Sequence, residues 1–448
     1  DATTLDFVYL NQRIEAGQPR VSETYELNST GAVNLQPPNL SDPSDMTQAK
    51  FLVKDEVFNL KLDMEFDAFN LSLMAADKEF TFQRDDDQVG YILLSEGHSN
   101  ETIGPFISNI NTFEARLVSN ANDDSFFDWI AGVWYEDFTQ DRNRFTFYSG
   151  PDQLVFGFIP VTEGLILRDD LVVNSSQEVA AYGELSMHFS EQATLTLGYR
   201  RSDVEVDQEI KFINGLAGGA ERALIGVNQL VQEDVDTYKV NFEYQMNDDV
   251  LLYALASSGY RAGGFNPANP FAGTPPVQYV SDSLWNYELG AKTRWLDDRL
   301  TANATLFYVD WQDIQLSKQI QGTNGVATIT GNVGTAKSVG IEAELDFRAT
   351  EHLTLGLNFL YMDATVEEDI PSVGAVDGDR LPGSADLTHS LYIDYAQPLS
   401  DELDLSVRLT QRYVGERVTA LGSGGSVQGA NLVPSYDTTD LRFGISHA

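Results

Sequence analysis

Apolar and polar residues alternate along this chain, most clearly between residues 285 and 361. In its first run one face is apolar and the other is polar: Tyr287, Leu289, Ala291, Thr293 and Trp295 against Glu288, Gly290, Lys292 and Arg294. Side chains of a β-strand point alternately to the two sides of the sheet, so this period predicts strands whose faces meet unlike surroundings.

The alternation predicts an antiparallel arrangement of roughly 16 strands, the first at Leu5–Ile14. Short turns are predicted near Ser190-Glu191, Asn247-Asp248-Asp249, Asp297-Asp298, Thr350-Glu351 and Ser400-Asp401. Long polar loops are predicted at about 141–175, 210–230, 263–280, 319–334, 369–385 and 418–434. Transmembrane barrels have short turns on one side and long loops on the other. A propeller or solenoid would instead show a fixed repeat length, which this sequence lacks.

Aromatic residues recur at two positions along the predicted strands. Before the short turns the apolar face ends in an aromatic residue: Phe66, Phe189, Tyr244, Trp295, Phe347 and Tyr395. Strands leaving the turns reach a tyrosine eight residues after their first apolar residue, as in Phe127 to Tyr135, Leu300 to Tyr308, Leu353 to Tyr361 and Leu405 to Tyr413. Eight tilted residues climb roughly 20 Å, close to the ~25 Å apolar band of an outer-membrane barrel. The alternative is that aromatic residues are simply common in strands.

The opposite face is too polar for a dry protein core. Its predicted members include Asn59, Lys61, Asp63 and Glu65; Lys239, Asn241, Glu243 and Gln245; Glu342, Glu344 and Asp346; and Asp404, Ser406, Arg408, Thr410 and Arg412. Unpaired charges in a dry interior would each cost several kcal/mol. These side chains therefore predict a lumen that is wet or filled by another polar domain.

Composition narrows the class further. The formal net charge of −40 argues against nucleic acid as a partner, because phosphate binding needs clustered cations. There are no cysteines, which excludes disulfides and thiolate metal sites.

The fold predicted is all-β, a transmembrane antiparallel β-barrel forming one domain over residues 1–448, without its terminal strands and without a plug domain.

Several segments resemble the TonB-dependent outer-membrane receptors. Residues 252–266 contain L-Y-A, then G-Y-R-A-G-G-F-N; residues 287–315 contain Y-E-L-G-A-K and W-Q-D-I-Q; residues 331–355 contain G-N-V-G, G-I-E-A-E and L-T-L. Phe127 to Tyr135 and Ala181 to Tyr199 are similar to earlier hairpins of the same receptors. The likeness covers the chain from about residue 107 onward.

The resemblance implies a barrel of about 22 strands whose lumen is closed by an N-terminal plug. About four opening strands and two closing strands of that barrel would then be outside this sequence. The family takes up scarce ligands, often iron chelates, with energy passed on by TonB. The implied function is active transport of a ferric siderophore or similar iron chelate across the outer membrane of a Gram-negative bacterium. The implied partners are outer-membrane lipid and lipopolysaccharide, the ligand, and the TonB complex, contacted through an N-terminal region that this sequence lacks.

Candidate ligand contacts lie in one predicted external loop region. Aromatic and arginine side chains suit a large planar or chelated ligand, which points to Arg261, Phe265, Asn266, Phe271 and Tyr279. A strongly acidic chain disfavours polyanionic catecholate chelates. Neutral hydroxamate-type chelates, oligosaccharides and cobalamin fit at least as well.

Metal and catalytic sites have weaker support. Carboxylates in predicted outer loops could hold calcium, namely Asp85, Asp86, Asp87, Asp377 and Asp379, or could simply be solvated. The five histidines are scattered, without the spacing of a zinc protease. Glu342 and Glu344 face the same way on a predicted strand, as a glycosidase pair might, but so acidic a chain is expected to contain such pairs by chance. No cofactor and no enzymatic activity are predicted.

Two other classes of protein remain open. A passive porin-like channel would share the barrel but need no plug. A soluble β-protein, such as an adhesin or carbohydrate hydrolase, would share the strands but has no reason to place aromatic residues at two heights.

Overall fold

The computed structural model describes most of the chain as β-structure. The described residues are 3–21, 24–27, 33–36, 46–88, 98–120, 125–149, 153–155, 159–161, 166–215, 227–266, 277–321, 326–371, 374–419, 421 and 432–447. Among them no helix is long and apolar enough to cross a membrane.

The strands are numbered here in chain order. They are β1 Thr3–Val21, β2 Thr24–Leu27, β3 Val33–Gln36, β4 Met46–Glu65, β5 Phe69–Gln88, β6 His98–Ser119, β7 Phe127–Ser149, β8 Gln153–Val155, β9 Ile159–Val161, β10 Ile166–His188, β11 Ala193–Gly215, β12 Val227–Asn247, β13 Val250–Arg261, β14 Gly264–Asn266, β15 Val277–Tyr279, β16 Asp282–Trp295, β17 Leu300–Gln312, β18 Gln315–Gln321, β19 Val326–Asn332, β20 Ala336–Arg348, β21 Leu353–Val366, β22 Leu387–Ser400, β23 Leu403–Val414, β24 Arg417–Val418, β25 Leu432–Val433 and β26 Tyr436–His447.

One sheet contains 16 of these strands, in the order β1-β4-β5-β6-β7-β10-β11-β12-β13-β16-β17-β20-β21-β22-β23-β26. The remaining strands pair two by two as β2-β3, β8-β9, β14-β15, β18-β19 and β24-β25. The chain divides into two compact units. One comprises residues 1–117, 132–181 and 202–234, and the other comprises 118–131, 182–201 and 235–448.

The predicted meander of roughly 16 strands is confirmed. Each predicted short turn falls between two paired strands, for example between β12 and β13 at Asp248-Asp249. The predicted extent of the long loops is wrong, because the strands run on past the apolar segment and several hairpins continue as two-stranded ribbons. For the same reason Asp85, Asp86 and Asp87 lie in β5 rather than in a loop, with Asp85 opposite Lys50.

The turn between β16 and β17 shows why the short turns are acidic. Leu296, Asp297 and Asp298 all have positive φ, at 59°, 58° and 61°. Aspartate tolerates this left-handed region because its short polar side chain can bond locally. The Asp298 carboxylate also lies 3.4 Å from the guanidinium of Arg294.

One face of the sheet exposes many large apolar side chains. Leu289 is 60% exposed and Leu306 is 54% exposed, although they are paired with each other across β16 and β17. A face of this kind is stable only where hydrocarbon or another apolar surface covers it. The alternation predicted from the sequence therefore separates an apolar exposed face from a polar one.

Aromatic rings form a row across β11, β12, β16 and β17, and lie near the loop ends of β16 and β17. Consecutive ring centroids are 5.6 to 6.3 Å apart along Tyr199, Tyr238, Trp285, Tyr287 and Tyr308. The Tyr199 hydroxyl donates to Asp236 at 2.7 Å, so the ring ends in a polar tip. Near the opposite strand ends the Phe126 and Phe189 rings are 5.9 Å apart, and both are exposed. These two rows agree with the predicted pair of aromatic belts.

Two tyrosines on the polar face lie flat over glycines of the neighbouring strand. Tyr253 is opposite Gly290, and Tyr392 is opposite Gly356. Each tyrosine reaches past the glycine to the next strand: Tyr253 bonds the Thr305 hydroxyl at 2.8 Å, and Tyr392 donates to Asp346. A Cβ added to Gly356 would lie 2.1 Å from the Tyr392 ring, so only glycine leaves room for this contact.

We expect a charge introduced on the apolar face to destabilise the fold. Ala304 is exposed midway between Leu300 and Tyr308 on β17, where its neighbours are Ala291 and Ala343. Ala304→Arg should lower the free energy of unfolding by about 2–4 kcal/mol, because arginine near the middle of the bilayer is costly. Urea titration of the protein folded into lipid vesicles measures this loss.

The adjacent residue supplies the control for this substitution. Asn303 lies on the polar face and donates to Glu344 at 3.2 Å. Asn303→Arg would gain a carboxylate partner and should cost less than about 1 kcal/mol. Equal losses for the two variants would show that hydrocarbon does not cover the Ala304 face.

Gly356→Ala should displace Tyr392 from Asp346 and from Arg408, whose guanidinium carbon lies 4.7 Å from the ring centre. We expect a loss of about 1–3 kcal/mol in the free energy of unfolding, measured in the same vesicles. Gly259→Ala is the matched control, since its added Cβ would meet Leu284 at an ordinary 3.8 Å. If both variants unfold alike, the tyrosine contact contributes nothing.

Candidate functional site

The polar face of the second unit carries charged side chains that are paired across strands. Lys239 donates to both oxygens of Glu184 at 3.0 Å. Arg408 lies 3.5 Å from Asp394, and the Lys292 ammonium lies 5.8 Å from the Tyr253 ring centre. The side chains of these ion pairs are a third to a half exposed, so water or a polar partner can reach them. This arrangement supports the predicted wet or polar-filled interior.

A second polar cluster lies at the loop end of β13, β16 and β17. Arg261 is opposite Asp282 in the register of β13 and β16. The Asp282 side chain is 1% exposed and accepts bonds from Arg261 Nε, Arg261 Nη2 and the backbone N–H of Gln315. The guanidinium also lies over the Trp311 ring, 4.7 Å from its centre. A buried carboxylate with this many donors is fully compensated.

Two hairpins extend outward from this cluster. Hairpin β14–β15 continues the register of β13–β16, and hairpin β18–β19 continues that of β17–β20. The ladder is interrupted at Asp313 and Gly334, whose φ values are 53° and 116°. The Gly334 carbonyl accepts from Ile314 N at 2.9 Å across this interruption.

The predicted ligand contacts come together here, with one exception. Arg261, Phe265, Asn266 and Tyr279 lie in or beside hairpin β14–β15, whereas Phe271 lies outside the described residues. Tyr279 is opposite Gly264, and burial raises its pKa while the nearby Arg261 cation opposes that rise. A ligand contact by these residues stays a prediction.

Arg261 and Asn266 already have structural partners. Arg261 is paired with Asp282, and Asn266 is 7% exposed, with its amide bonded to the backbone of Thr330. The prediction from sequence missed Asp282, Gln315, Thr330 and Asn332. The Arg261–Asp282 pair had no signal in the sequence, because the short turns fix the registers of β12–β13 and β16–β17 but not that of β13–β16.

Of the predicted calcium ligands, Asp379 bonds within its own loop through its carboxylate and Asp377 through its backbone N–H. The Asp379 carboxylate accepts from Val376 N at 3.0 Å, and Asp369 accepts from Asp377 N at 3.0 Å. In the part of the chain that the structure describes, no group of three or more histidines and acids could hold a metal ion. The side chains of Asp85, Asp86 and Asp87 lie outside that part. Calcium binding stays a prediction.

We expect the buried ion pair of Arg261 and Asp282 to contribute more to the free energy of unfolding than the exposed pair of Lys239 and Glu184. Asp282→Ala would leave the N–H groups of Arg261 and Gln315 without their acceptor and should cost about 2–4 kcal/mol of unfolding free energy. Glu184→Ala removes a pair whose two side chains are 40% and 34% exposed, and should cost less than about 1 kcal/mol. Urea titration compares the two variants, and a larger loss for Glu184→Ala would contradict this assignment.

Comparison with known proteins gives the same architecture. The ferric yersiniabactin uptake receptor FyuA from Yersinia pestis is 18% identical with a TM-score of 0.74, and the alignment covers 98% of this chain and 60% of that one. The siderophore receptor PiuA from Acinetobacter baumannii is 16% identical with a TM-score of 0.65, over 98% and 64% of the two chains. The ferric-catecholate import receptor Fiu from E. coli K12, in its closed form, is 14% identical with a TM-score of 0.65, over 98% and 65%.

These likenesses show a shared fold. The chain spans less than two thirds of the length of these structures. Residues 2–447 match the family described as TonB dependent receptor-like, beta-barrel. This chain therefore belongs to the TonB-dependent receptor-like β-barrel family.

Proposed function

We propose that this chain is the barrel portion of a receptor that takes up an iron chelate, such as a ferric siderophore, across the outer membrane of a Gram-negative bacterium. The observation that carries the proposal is the family match over residues 2–447. The similar structures named above are of uptake, siderophore and import receptors, which supports the same ligand class here. Energy would come from the TonB complex through a region outside this sequence. The proposed role is transport rather than catalysis.

The apolar face supports a membrane location. Exposed leucines such as Leu289 and Leu306 lie between two aromatic rows, as hydrocarbon contact requires. Outer-membrane lipid and lipopolysaccharide are the proposed partners of this face.

The polar face is compatible with an interior filled by a polar domain, as the proposed receptor requires. Its carboxylates and cations are paired between strands and remain partly exposed, so they can also bond a polar domain lying against them. A passive porin-like channel, the alternative function, would leave this interior open. Planar-bilayer conductance of the full-length protein tells the two apart, since a plugged receptor conducts little current.

The net charge bears on the class of chelate. At −40 the chain repels polyanionic ligands unless cations are concentrated locally, and Arg261 is already paired with Asp282. A neutral hydroxamate-type chelate therefore suits this receptor better than a ferric catecholate. Oligosaccharides and cobalamin remain the other nutrient classes compatible with such a barrel.

We expect cells that carry the full-length protein to accumulate iron supplied as a ferric tris-hydroxamate chelate, and cells that also lack TonB to accumulate none. Radioactive iron uptake in a strain without other receptors for that chelate measures both. Titration of the purified protein with the tris-hydroxamate and with a ferric tris-catecholate compares the two ligands. Uptake that persists without TonB would favour the porin-like channel, and tight binding of the catecholate alone would contradict the charge argument.

A further inference from the structure

Hairpins β14–β15 and β18–β19, here called the outer hairpin pair, are tied to each other by side chains rather than by a shared ladder. We propose that the outer hairpin pair moves as one rigid body and that Asn266, Asp282, Gln315 and Asn332 are its positioning residues. The positioning role, unlike the rigid body, rests on the proposed function. These four residues would fix the place of Phe265 and Tyr279 for ligand contact.

Asn266 supplies the first tie. Its Nδ2 donates to the Thr330 carbonyl at 2.7 Å, and its Oδ1 accepts from the Thr330 N–H at 2.7 Å. The side-chain amide thus pairs with the β19 backbone as a neighbouring strand would. Nδ2 also donates to Val277 O at 3.1 Å, which joins the two strands of its own hairpin.

Asn332 supplies a second tie of the same kind in the opposite direction. It belongs to β19, and its Oδ1 accepts from the Val280 N–H at 2.9 Å while its Nδ2 donates to Val280 O at 2.9 Å. Nδ2 also donates to Asp313 O at 2.8 Å, next to the interruption of the ladder. Asn266 therefore holds the backbone of β19, and Asn332 holds the backbone of the residue directly after β15.

Gln315 and Asp282 anchor the base of the pair. Gln315 Nε2 donates to the carbonyls of Ala262 and Val280, each at 3.0 Å, and Arg261 Nη2 donates to Gln315 O at 3.1 Å. Asp282 holds Arg261 and the Gln315 N–H together, as described above. The base therefore joins the starts of both hairpins to one buried carboxylate.

An apolar cluster supports the same region from beneath. Ile314 and Val333 flank the interruption and are 1% and 6% exposed. They pack with Ala336 and Val366 at the ends of β20 and β21, and Trp311 packs against the cluster. Displacing β18–β19 alone would break both asparagine ties, whereas joint movement keeps them, so the asparagine contacts favour joint movement.

Hydrogen exchange of the full-length protein in detergent tests the coupling without any ligand. Each of the N–H groups of Val280, Gln315 and Thr330 is held by a different side chain, those of Asn332, Asp282 and Asn266. Asn266→Ala removes the acceptor of the Thr330 N–H and leaves the acceptors of the Val280 and Gln315 N–H groups in place. In a rigid body, exchange should nevertheless become about five to ten times faster at all three amides, because one opening exposes them together.

The reciprocal variant and a matched control complete the test. Asn332→Ala removes the acceptor of Val280 and should also speed exchange at Thr330 and Gln315. Asn286→Ala is the control, because Asn286 bonds Glu288 within its own strand at 2.7 Å. It should leave the three amides unchanged. Exchange that rises only at the amide whose acceptor was removed would overturn the rigid body.

Milder variants keep the test valid if an alanine variant fails to fold. Asn266→Gln and Asn332→Gln keep the amide group but move it outward by one methylene, which weakens these bonds without removing the donor or the acceptor. They should give a smaller increase at all three amides, whereas an increase at no amide other than the directly bonded one would again overturn the proposal. Unchanged exchange at Leu289 in β16 confirms that the sheet itself is intact.

Ligand titration tests the positioning role. With a ferric tris-hydroxamate chelate as probe, Asn266→Ala should weaken binding about ten-fold while Asn286→Ala leaves it unchanged. Equal affinity of both variants, with coupled exchange, would overturn the positioning role but not the rigid body. Failure of the unmodified protein to bind this probe would count against the proposed ligand, and exchange would still decide whether the hairpins move together.

Discussion

The structure depends on pairing every backbone N–H and C=O wherever hydrocarbon surrounds the chain. Lipid offers no hydrogen bonds, so a spanning segment must satisfy its own backbone, and antiparallel strands do this through their neighbours. In the 16-strand order, each strand between β1 and β26 is paired with a neighbour on both sides. Side chains then have only two directions available, and this is why the alternation of Leu289 with Glu288 and Gly290 is so regular. The ionic pairs on the polar face and the aromatic rows on the apolar face both follow from that single division.

Two hairpins beyond the apolar segment keep the register of the strands from which they extend. Hairpin β14–β15 keeps the register of β13–β16, and β18–β19 keeps that of β17–β20. Outside hydrocarbon the backbone is free to break its ladder, as it does at Asp313 and Gly334. Side-chain amides and one buried carboxylate then replace the missing ladder bonds. Arg261, a residue whose charge suggests ligand binding, is held by this arrangement.

The strands, the short turns and the two aromatic rows could be predicted because each depends on local patterning. Asp297 and Asp298 indicate a turn because aspartate tolerates the left-handed conformation. Tyr308 follows Leu300 after eight residues, a spacing that can be seen in the sequence alone. The ribbons beyond the apolar segment could not be predicted, since polar residues such as those of β5 at positions 85–87 look the same in a loop and in a solvated strand. The ties of Asn266 and Asn332 depend on contacts between hairpins more than fifty residues apart. No local pattern reports such contacts.

The tyrosines that lie over Gly290 and Gly356 also bear on how the strands choose their alignment. If β22 slid by two residues against β21, Tyr392 would face Thr354 or Asn358 instead of Gly356, and its ring would collide with a side chain. A comparable slip of β13 would place Tyr253 against Glu288 or Lys292. Both slips keep the apolar face outward, so alternation by itself cannot reject them. The two glycine–tyrosine pairs therefore disfavour shifted registers of β13 and β22 that the alternation of apolar and polar residues alone would allow.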